Sequence, residues 1–247
     1  MALFEAHDLH LRFGDRVVLE DVSLSFEAGR LSGIMGPNGA GKTTCFNVLT
    51  GRYKPDRGRV LLDGRDITGR APQDIARLGV ARSFQMMNLF DEFTVFENVA
   101  IALPGMRRRG HDPLGQAYAD SALVDEAYDV LAKVGLADRA DEPARALPYG
   151  ARRALEIAVA LASRPRLLFL DEPTAGLGSD GRARLAELVG RLRGAVTLVI
   201  IEHDMSFLFS LADEISVIHW GQVIARGTPA ELRANAWVEA SSLGRLS

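Results

Sequence analysis

Residues 36–43 read Gly-Pro-Asn-Gly-Ala-Gly-Lys-Thr, which matches the pattern GxxxxGK[ST] of a phosphate-binding loop. The glycines allow backbone conformations that other residues avoid, so that N–H groups can reach phosphate oxygens. We expect the lysine to contact the β- and γ-phosphates of a nucleotide and the threonine hydroxyl to bind Mg²⁺. The predicted nucleotide-binding residues are Gly36, Pro37, Asn38, Gly39, Ala40, Gly41, Lys42, Thr43 and Thr44.

The segments on either side of this loop have the expected character. The apolar run Leu31 to Met35 predicts a strand before the loop, and Thr44 to Leu49 predicts a helix after it. The N-terminus of that helix adds partial positive charge for an anion. The motif therefore predicts a nucleotide triphosphate as ligand, but by itself does not distinguish a kinase, a GTPase, a motor and a transporter ATPase.

The composition is that of an ordinary globular chain. The 247 residues are 47% hydrophobic and 25% charged, and the net charge of −3 gives no electrostatic reason to expect nucleic acid as a partner. No apolar run approaches the ~20 residues that span a bilayer. The first residues have no basic segment typical of a secretory signal. The single cysteine, Cys45, excludes an intramolecular disulfide and fits a reducing cytoplasm.

The hydrophobic pattern predicts an α/β fold. Continuous apolar runs at 80–84, 167–170 and 196–201 are typical of parallel strands that are covered on both faces. Alternating stretches within 4–26, with a turn at 14–15, and the segment 59–62 before Asp63-Gly64 predict antiparallel hairpins. The pattern between 94 and 163 is helical, as in 125–134.

These elements predict a P-loop NTPase core with a mainly parallel sheet, a small antiparallel β subdomain and an inserted α-helical subdomain. We assign the whole chain, 1–247, to one domain. Its core and β subdomain comprise 1–85 and 164–235, its helical subdomain 86–163 and its C-terminal tail 236–247.

Polar side chains follow three of the predicted parallel strands. Asp171 and Glu172 follow one, and they point in different directions because strand side chains alternate. We expect Asp171 to hold Mg²⁺ through water and Glu172 to orient or deprotonate the attacking water. His203 and Gln85 follow the other two strands, at the edge where open α/β sheets bind ligands. His203 is the second catalytic candidate, and the Gln85 amide can contact metal or water.

Together these motifs resemble the nucleotide-binding subunit of ATP-binding cassette (ABC) transporters over essentially the whole chain. The resemblance implies that Phe13 stacks on adenine, although a buried strand residue is the alternative at that position. It also implies that two such subunits enclose two ATP molecules, each phosphate loop facing the signature segment of the other subunit. Here that segment contains Pro148, Tyr149 and Gly150.

The signature segment departs from the common Leu-Ser-Gly-Gly-Gln of this family. Residues 147–151 read Leu-Pro-Tyr-Gly-Ala, so that Pro148 replaces a serine whose hydroxyl would reach the γ-phosphate. We expect Pro148 at the first helical position, with free N–H groups nearby that can still face an anion. The D-loop, 175–178, also ends in glycine where many members have an acid or asparagine.

Four further segments, 81–85, 147–158, 201–205 and 227–232, look most like the ATPase of branched-chain amino acid importers. An ATPase of a urea or short-amide importer is an alternative, as is a cassette ATPase that works without a permease as an ATP-driven clamp. The resemblance implies ATP and Mg²⁺ as cofactors. It also implies three kinds of partner: a second ATPase subunit, identical or different; two integral-membrane permeases; and a periplasmic or extracellular substrate-binding protein. The chain would lie on the cytoplasmic face of the membrane.

The proline in the signature segment yields the first test. Because Pro148 has no hydroxyl for the γ-phosphate, we expect this segment to support slower hydrolysis in the partner's site than a full signature does. Pro148→Ser should therefore raise the ATPase rate of the assembled complex in steady-state phosphate release. An unchanged rate would argue against this interpretation.

Overall fold

The computed structural model describes residues 2–83, 89–108 and 118–235, with only the backbone of Arg107 and Arg108. Ten strands in these ranges form two sheets. The strands are β1 (Ala2–Phe13), β2 (Arg16–Glu27), β3 (Leu31–Met35), β4 (Arg57–Leu62), β5 (Arg65–Asp66), β6 (Val80–Arg82), β7 (Leu167–Asp171), β8 (Thr197–Glu202), β9 (Glu214–His219) and β10 (Gln222–Gly227).

Helices cover the larger sheet and form a separate layer in the middle of the chain. The α-helices are α1 (Lys42–Leu49), α2 (Pro72–Arg77), α3 (Val95–Ala100), α4 (Ser121–Val134), α5 (Tyr149–Ala162), α6 (Ser179–Leu192), α7 (Met205–Leu211) and α8 (Pro229–Arg233). Short 3₁₀ turns lie at Pro104–Arg108, Ala137–Arg139 and Ala144–Ala146. None of the helices in the described part of the chain is both long and apolar enough to span a membrane.

The larger sheet has the strand order β10-β9-β3-β8-β7-β6. Its strands β9, β3, β8, β7 and β6 are parallel, and β10 joins the edge antiparallel to β9. The predicted parallel strands are present, with β8 beginning at Thr197 rather than Val196. The strand predicted for 80–84 is β6, which ends at Arg82, and Phe84 lies outside the described residues. The hairpin of β9 and β10 was not predicted.

The smaller sheet, of order β2-β1-β4-β5, is antiparallel. Both predicted turns are confirmed: Gly14 lies between β1 and β2, and Asp63-Gly64 lies between β4 and β5. At the second turn φ is 49° for Asp63 and 72° for Gly64, which is the backbone that a tight two-residue hairpin requires. The two sheets and the helical layer together confirm the predicted fold class.

The inserted helices pack through their apolar faces. In α4 the predicted face of Ala127, Val130, Leu131 and Val134 is buried. The helix begins where the Asp120 side chain accepts hydrogen bonds from the first turn, and it ends at a left-handed glycine. These residues share one hydrophobic core with α3, α5 and one face of the larger sheet. The helical layer is thereby attached to the nucleotide-binding sheet.

A second core fills the space between the two sheets. At its centre Phe169 of β7 makes edge-to-face contacts with Phe4 of β1, Phe26 of β2 and Phe46 of α1, at centroid distances of 5.6, 6.1 and 5.4 Å. Because these rings come from both sheets and from the helix that follows the phosphate loop, this core sets the position of the loop relative to the smaller sheet.

Removing the central ring of this core should destabilise the protein strongly. Phe169 is fully buried, so we expect Phe169→Ala to lower the free energy of unfolding by about 3–5 kcal/mol. Phe90→Ala is the control, because that ring is 54% exposed, and we expect it to cost less than about 1 kcal/mol. Denaturant unfolding measures both, and equal losses would contradict the assignment of this core.

Candidate nucleotide-binding site

The phosphate loop connects β3 to α1 and passes very close to neighbouring backbone. Gly36, Gly39 and Gly41 have φ values of 159°, 79° and 99°. A Cβ atom at Gly36 would lie 2.0 Å from the carbonyl oxygen of Ile218, and one at Gly41 would lie 2.8 Å from that of Val18. Positions 36 and 41 therefore accept only glycine, for steric reasons as well as conformational ones.

Lys42 is held by the loop itself. Its Nζ donates hydrogen bonds to the carbonyl oxygens of Gly36 at 2.6 Å and Pro37 at 2.9 Å. Burial lowers the pKa of Lys42, and the nearby carboxylates of Glu172, Glu202 and Asp171 oppose that shift. The ammonium group thus lies among phosphate-loop carbonyls and carboxylates, at the place where the motif predicts a triphosphate.

A cleft of about 300 Å³ extends from the loop to the end of β1. Phe13, Arg16 and Val18 line it on one side; Glu172 and six residues of the phosphate loop and the start of α1 line it on the other. Phe13 is 49% exposed, and its ring meets Tyr53 edge-to-face at 5.4 Å. This exposure excludes the alternative of a buried strand residue. Arg16 and Tyr53 were not among the predicted site residues.

The two carboxylates at the end of β7, predicted to point in different directions, have different environments. Asp171 is fully buried, whereas Glu172 is partly exposed and lines the cleft. Glu172 has a φ of 43°, which is uncommon for a residue with a side chain. Its Oε1 lies 3.6 Å from Nδ1 of His203, which follows β8. The structure thus brings Glu172, His203 and the phosphate loop to one edge of the sheet.

The Asp171 carboxylate faces a partly buried arginine. Its Oδ2 lies 3.4 Å from Nη2 of Arg82, and its Oδ1 has no hydrogen-bond partner among the described residues. Burial raises the pKa of Asp171 to about 6; Arg82 opposes this shift and Glu172 adds to it. A buried carboxylate oxygen that lacks a donor fits a water ligand of Mg²⁺. The exposed Thr43 is the other described metal candidate, and Gln85 lies outside the described residues.

Glu202, at the end of β8, supports this edge and was not predicted to do so. It is fully buried and accepts hydrogen bonds from the backbone N–H of Thr174 at 2.8 Å and from its hydroxyl at 2.5 Å. It also accepts a bond from the N–H of His203 at 3.1 Å. The carboxylate therefore connects the segment after β7 to the segment after β8. The sequence feature that could have identified Glu202 is a charged residue directly after an apolar run.

The signature segment begins α5, one residue later than predicted. Pro148 has extended backbone and precedes the helix, because its ψ of 153° is not helical, and Tyr149 is the first helical residue. No side chain caps this end, so its first N–H groups can still face an anion. Tyr149 donates a hydrogen bond of 3.0 Å to the carbonyl oxygen of Ala175 in the D-loop.

Arg153, one turn further along α5, is a buried contact that sequence reasoning missed. Its guanidinium pairs with Glu156 at 2.7 Å and donates to the carbonyl oxygens of Asp171 and Glu172. The available signal was an arginine and a glutamate three residues apart, which lie on one face of a helix. Their burial was not evident from the sequence.

Fold and site define a P-loop nucleoside triphosphatase. A family model described as ABC transporter matches residues 19–175, more than half of the chain, and the chain belongs to that family. It is 40% identical over 250 residues to the high-affinity branched-chain amino acid transport ATP-binding protein LivG of Salmonella typhimurium, covering 98% of both chains. It is 38% identical over 259 residues to BraF of Pseudomonas aeruginosa, a protein described in the same words, again covering 98% of both.

Among solved structures, the ADP conformation of MJ1267, an ATP-binding cassette of an ABC transporter, superimposes with a TM-score of 0.86. The match covers 99% of this chain and 100% of that one, at 30% identity. The chain is therefore an ATPase of the ABC type, and the family binds ATP and ADP.

The raised pKa of Asp171 predicts a pH-dependent stability. An unfolded aspartate has a pKa of ~3.9, whereas Asp171 has a pKa of about 6 in the folded protein. Between these two pH values the folded protein therefore binds more protons than the unfolded protein does. The free energy of unfolding therefore falls as the pH rises through this window. Asp171→Asn removes this contribution, and it should stabilise nucleotide-free, EDTA-treated protein by an amount on the order of 2–3 kcal/mol at pH ~7.5.

This gain should shrink towards pH ~4, where the folded carboxyl is protonated and the unfolded one is about half protonated. Denaturant unfolding of the wild type and the variant at the two pH values measures it. A difference in stability that is the same at both pH values would contradict the assignment.

Proposed function

We propose that this chain is the ATP-hydrolysing subunit of an ABC importer that takes up branched-chain or other hydrophobic amino acids. Membership of the ABC transporter family supports the ATPase. The single observation that supports the substrate class is the similarity to LivG and BraF, at 40% and 38% identity over nearly the full length of each chain. No residue of the nucleotide cleft contributes to that assignment.

ATP binds in the cleft between Phe13 and the phosphate loop. The half-exposed ring of Phe13 offers a face for adenine. The loop N–H groups and the start of α1 receive the phosphates. Lys42 exchanges its bonds to the carbonyl oxygens of Gly36 and Pro37 for phosphate oxygens.

Hydrolysis takes place at the sheet edge where Glu172 and His203 meet. Water attacks the γ-phosphorus in line; the new bond joins the water oxygen to phosphorus, and the bond to the β,γ-bridging oxygen breaks. Glu172 accepts the proton of the attacking water. His203, with Nδ1 3.6 Å from Glu172, holds this carboxylate and contacts the γ-phosphate. The products are ADP and inorganic phosphate.

Thr43, Asp171 and Gln85 are the residues proposed to hold Mg²⁺. Oxygen donors of this kind are the ligands that Mg²⁺ prefers. When bound, the cation neutralises charge on the β- and γ-phosphates. The buried Asp171 oxygen without a donor supports this assignment from the side of the protein.

The proposed assembly contains a second ABC ATPase, two membrane permeases and a periplasmic or extracellular substrate-binding protein. The residues Pro148, Tyr149 and Gly150 face the phosphate loop of the second ATPase, so each site uses residues of both subunits. The chain acts as one domain, bound peripherally on the cytoplasmic face of the membrane. Closure over the γ-phosphate is the switch that drives transport in the permeases.

Glu172→Gln tests the hydrolytic mechanism. It keeps the size and a hydrogen-bonding oxygen but removes the base, so the steady-state ATPase rate of the assembled complex should fall by about 10²–10⁴-fold. ATP affinity, measured with a fluorescent nucleotide, should remain close to wild type.

Glu187→Gln is the matched control, because Glu187 is exposed on α6 and does not line the nucleotide cleft. It should hydrolyse ATP at the wild-type rate. If Glu172→Gln kept wild-type hydrolysis in the complex, the assignment of the base would be wrong.

A further inference from the structure

The segment that carries Glu172 is held by a side chain from α5. Nη2 of Arg153 donates to the carbonyl oxygens of Asp171 at 3.1 Å and Glu172 at 2.9 Å, and Nε donates to that of Pro173 at 3.3 Å. Arg153 is only 4% exposed, and its charge is balanced by Glu156, which is also buried. One guanidinium thus holds three consecutive carbonyl groups, that of the last residue of β7 and those of the two residues after it.

Tyr149 extends this contact by one more carbonyl. Its hydroxyl donates to the oxygen of Ala175 at 3.0 Å, and its ring lies so close to Gly176 that a Cβ atom there would be 2.9 Å from Oη. Gly176 has a φ of 75°, so two conditions favour glycine at this position. Tyr149 and Arg153 stand four residues apart and therefore lie on the same face of α5.

Arg153 and Tyr149 hold Glu172 in a backbone conformation that a residue with a side chain does not adopt readily. Its φ of 43° costs free energy for a residue with a side chain, and surrounding contacts must maintain such a conformation. Arg153 meets this need because a planar guanidinium has several fixed donors, whereas a lysine ammonium is a single point on a flexible stem. The stability of the fold does not require the ion pair between Arg153 and Glu156, since a buried ion pair can often be replaced by apolar residues without loss of stability.

We propose that Arg153 and Tyr149 are positioning residues that hold the segment 171–175 in the conformation that directs Glu172 at the γ-phosphate of ATP. The inference rests on the proposed role of Glu172 as the base. Because both residues belong to the helix that begins at the signature segment, a displacement of that segment changes the position of the catalytic carboxylate in the same subunit.

Arg153→Lys tests this role while keeping the charge opposite Glu156. We expect kcat of the assembled complex to fall by about 10- to 100-fold, because a small misplacement of a catalytic group has effects of this size. KM for ATP should stay within about two-fold, since Arg153 bonds Glu156 and the carbonyl groups of 171–173, which lie outside the phosphate loop. Tyr149→Phe, a change at a half-exposed site that keeps the ring, should lower kcat by about two- to ten-fold.

The matched control is Arg152→Lys. Arg152 is the neighbouring residue of the same helix, but its guanidinium pairs with Asp91 at 2.5 Å and also donates, at 3.4 Å, to the carbonyl oxygen of Ala144. We expect its ATPase rate to remain within about two-fold of wild type. Thermal unfolding of each variant establishes that the measured rates belong to folded protein.

The deciding measurement repeats Arg153→Lys in the Glu172→Gln background. If Arg153 acts through Glu172, the double variant hydrolyses ATP no more slowly than Glu172→Gln alone. A kcat of folded Arg153→Lys equal to that of Arg152→Lys, or a further loss in the double variant, would overturn the inference and leave the role of Glu172 intact. Wild-type hydrolysis by Glu172→Gln would instead remove the proposed base, and this inference with it.

Discussion

At Gly36 the phosphate loop passes so close to the hairpin of β9 and β10 that a methyl group would lie 2.0 Å from the carbonyl oxygen of Ile218. The same hairpin donates a hydrogen bond of 2.9 Å from the N–H of Gly221 to the carbonyl oxygen of Ala40. The loop is therefore fixed by backbone contacts before any nucleotide arrives. The N–H groups of the loop are therefore preorganised for phosphate. The position of the loop also determines where the cleft beside Phe13 lies.

The parallel strands bring the remaining groups to this loop. Because β3, β7 and β8 are adjacent and parallel, the carboxyl end of each opens on the same edge. Three carboxylates and Lys42 meet there. Two arginines balance part of the negative charge: the partly buried Arg82 beside Asp171, and the buried Arg153 beside Glu156. Removing one partner of the buried pair between Arg153 and Glu156 leaves an uncompensated charge, so Arg153 bears on both stability and catalysis.

Much of this arrangement could be predicted because it has a local signal. The phosphate loop has a fixed spacing, and the central strands are continuous apolar runs that end in polar residues. The β9 and β10 hairpin was missed because β10 is an edge strand that alternates between exposed and half-buried residues, and its apolar run is only three residues long. The shift of Pro148 out of α5 has a similar origin: a proline is compatible both with the first helical position and with the residue before it.

The contacts of Arg82, Arg153 and Glu202 could not be predicted for a different reason. Each depends on which strands and helices become neighbours, and an isolated charged residue in an apolar segment does not reveal its partner. Arg82 illustrates this, since it bonds Asn47 of α1 at 2.8 Å and lies over the ring of Phe46, far away in the chain. Such residues are identified only when the sheet order is known.

The central claim is that this chain supplies half of an ATP site, with its own phosphate loop and, for the neighbouring site, its signature segment. An electron cryo-microscopy structure of the assembled complex with ATP bound tests this directly. The account predicts ATP between the phosphate loop of one ATPase and the α5 N-terminus of the other, with adenine against Phe13. Nucleotide enclosed by a single subunit, with Tyr149 and Gly150 turned away from any phosphate, would contradict it.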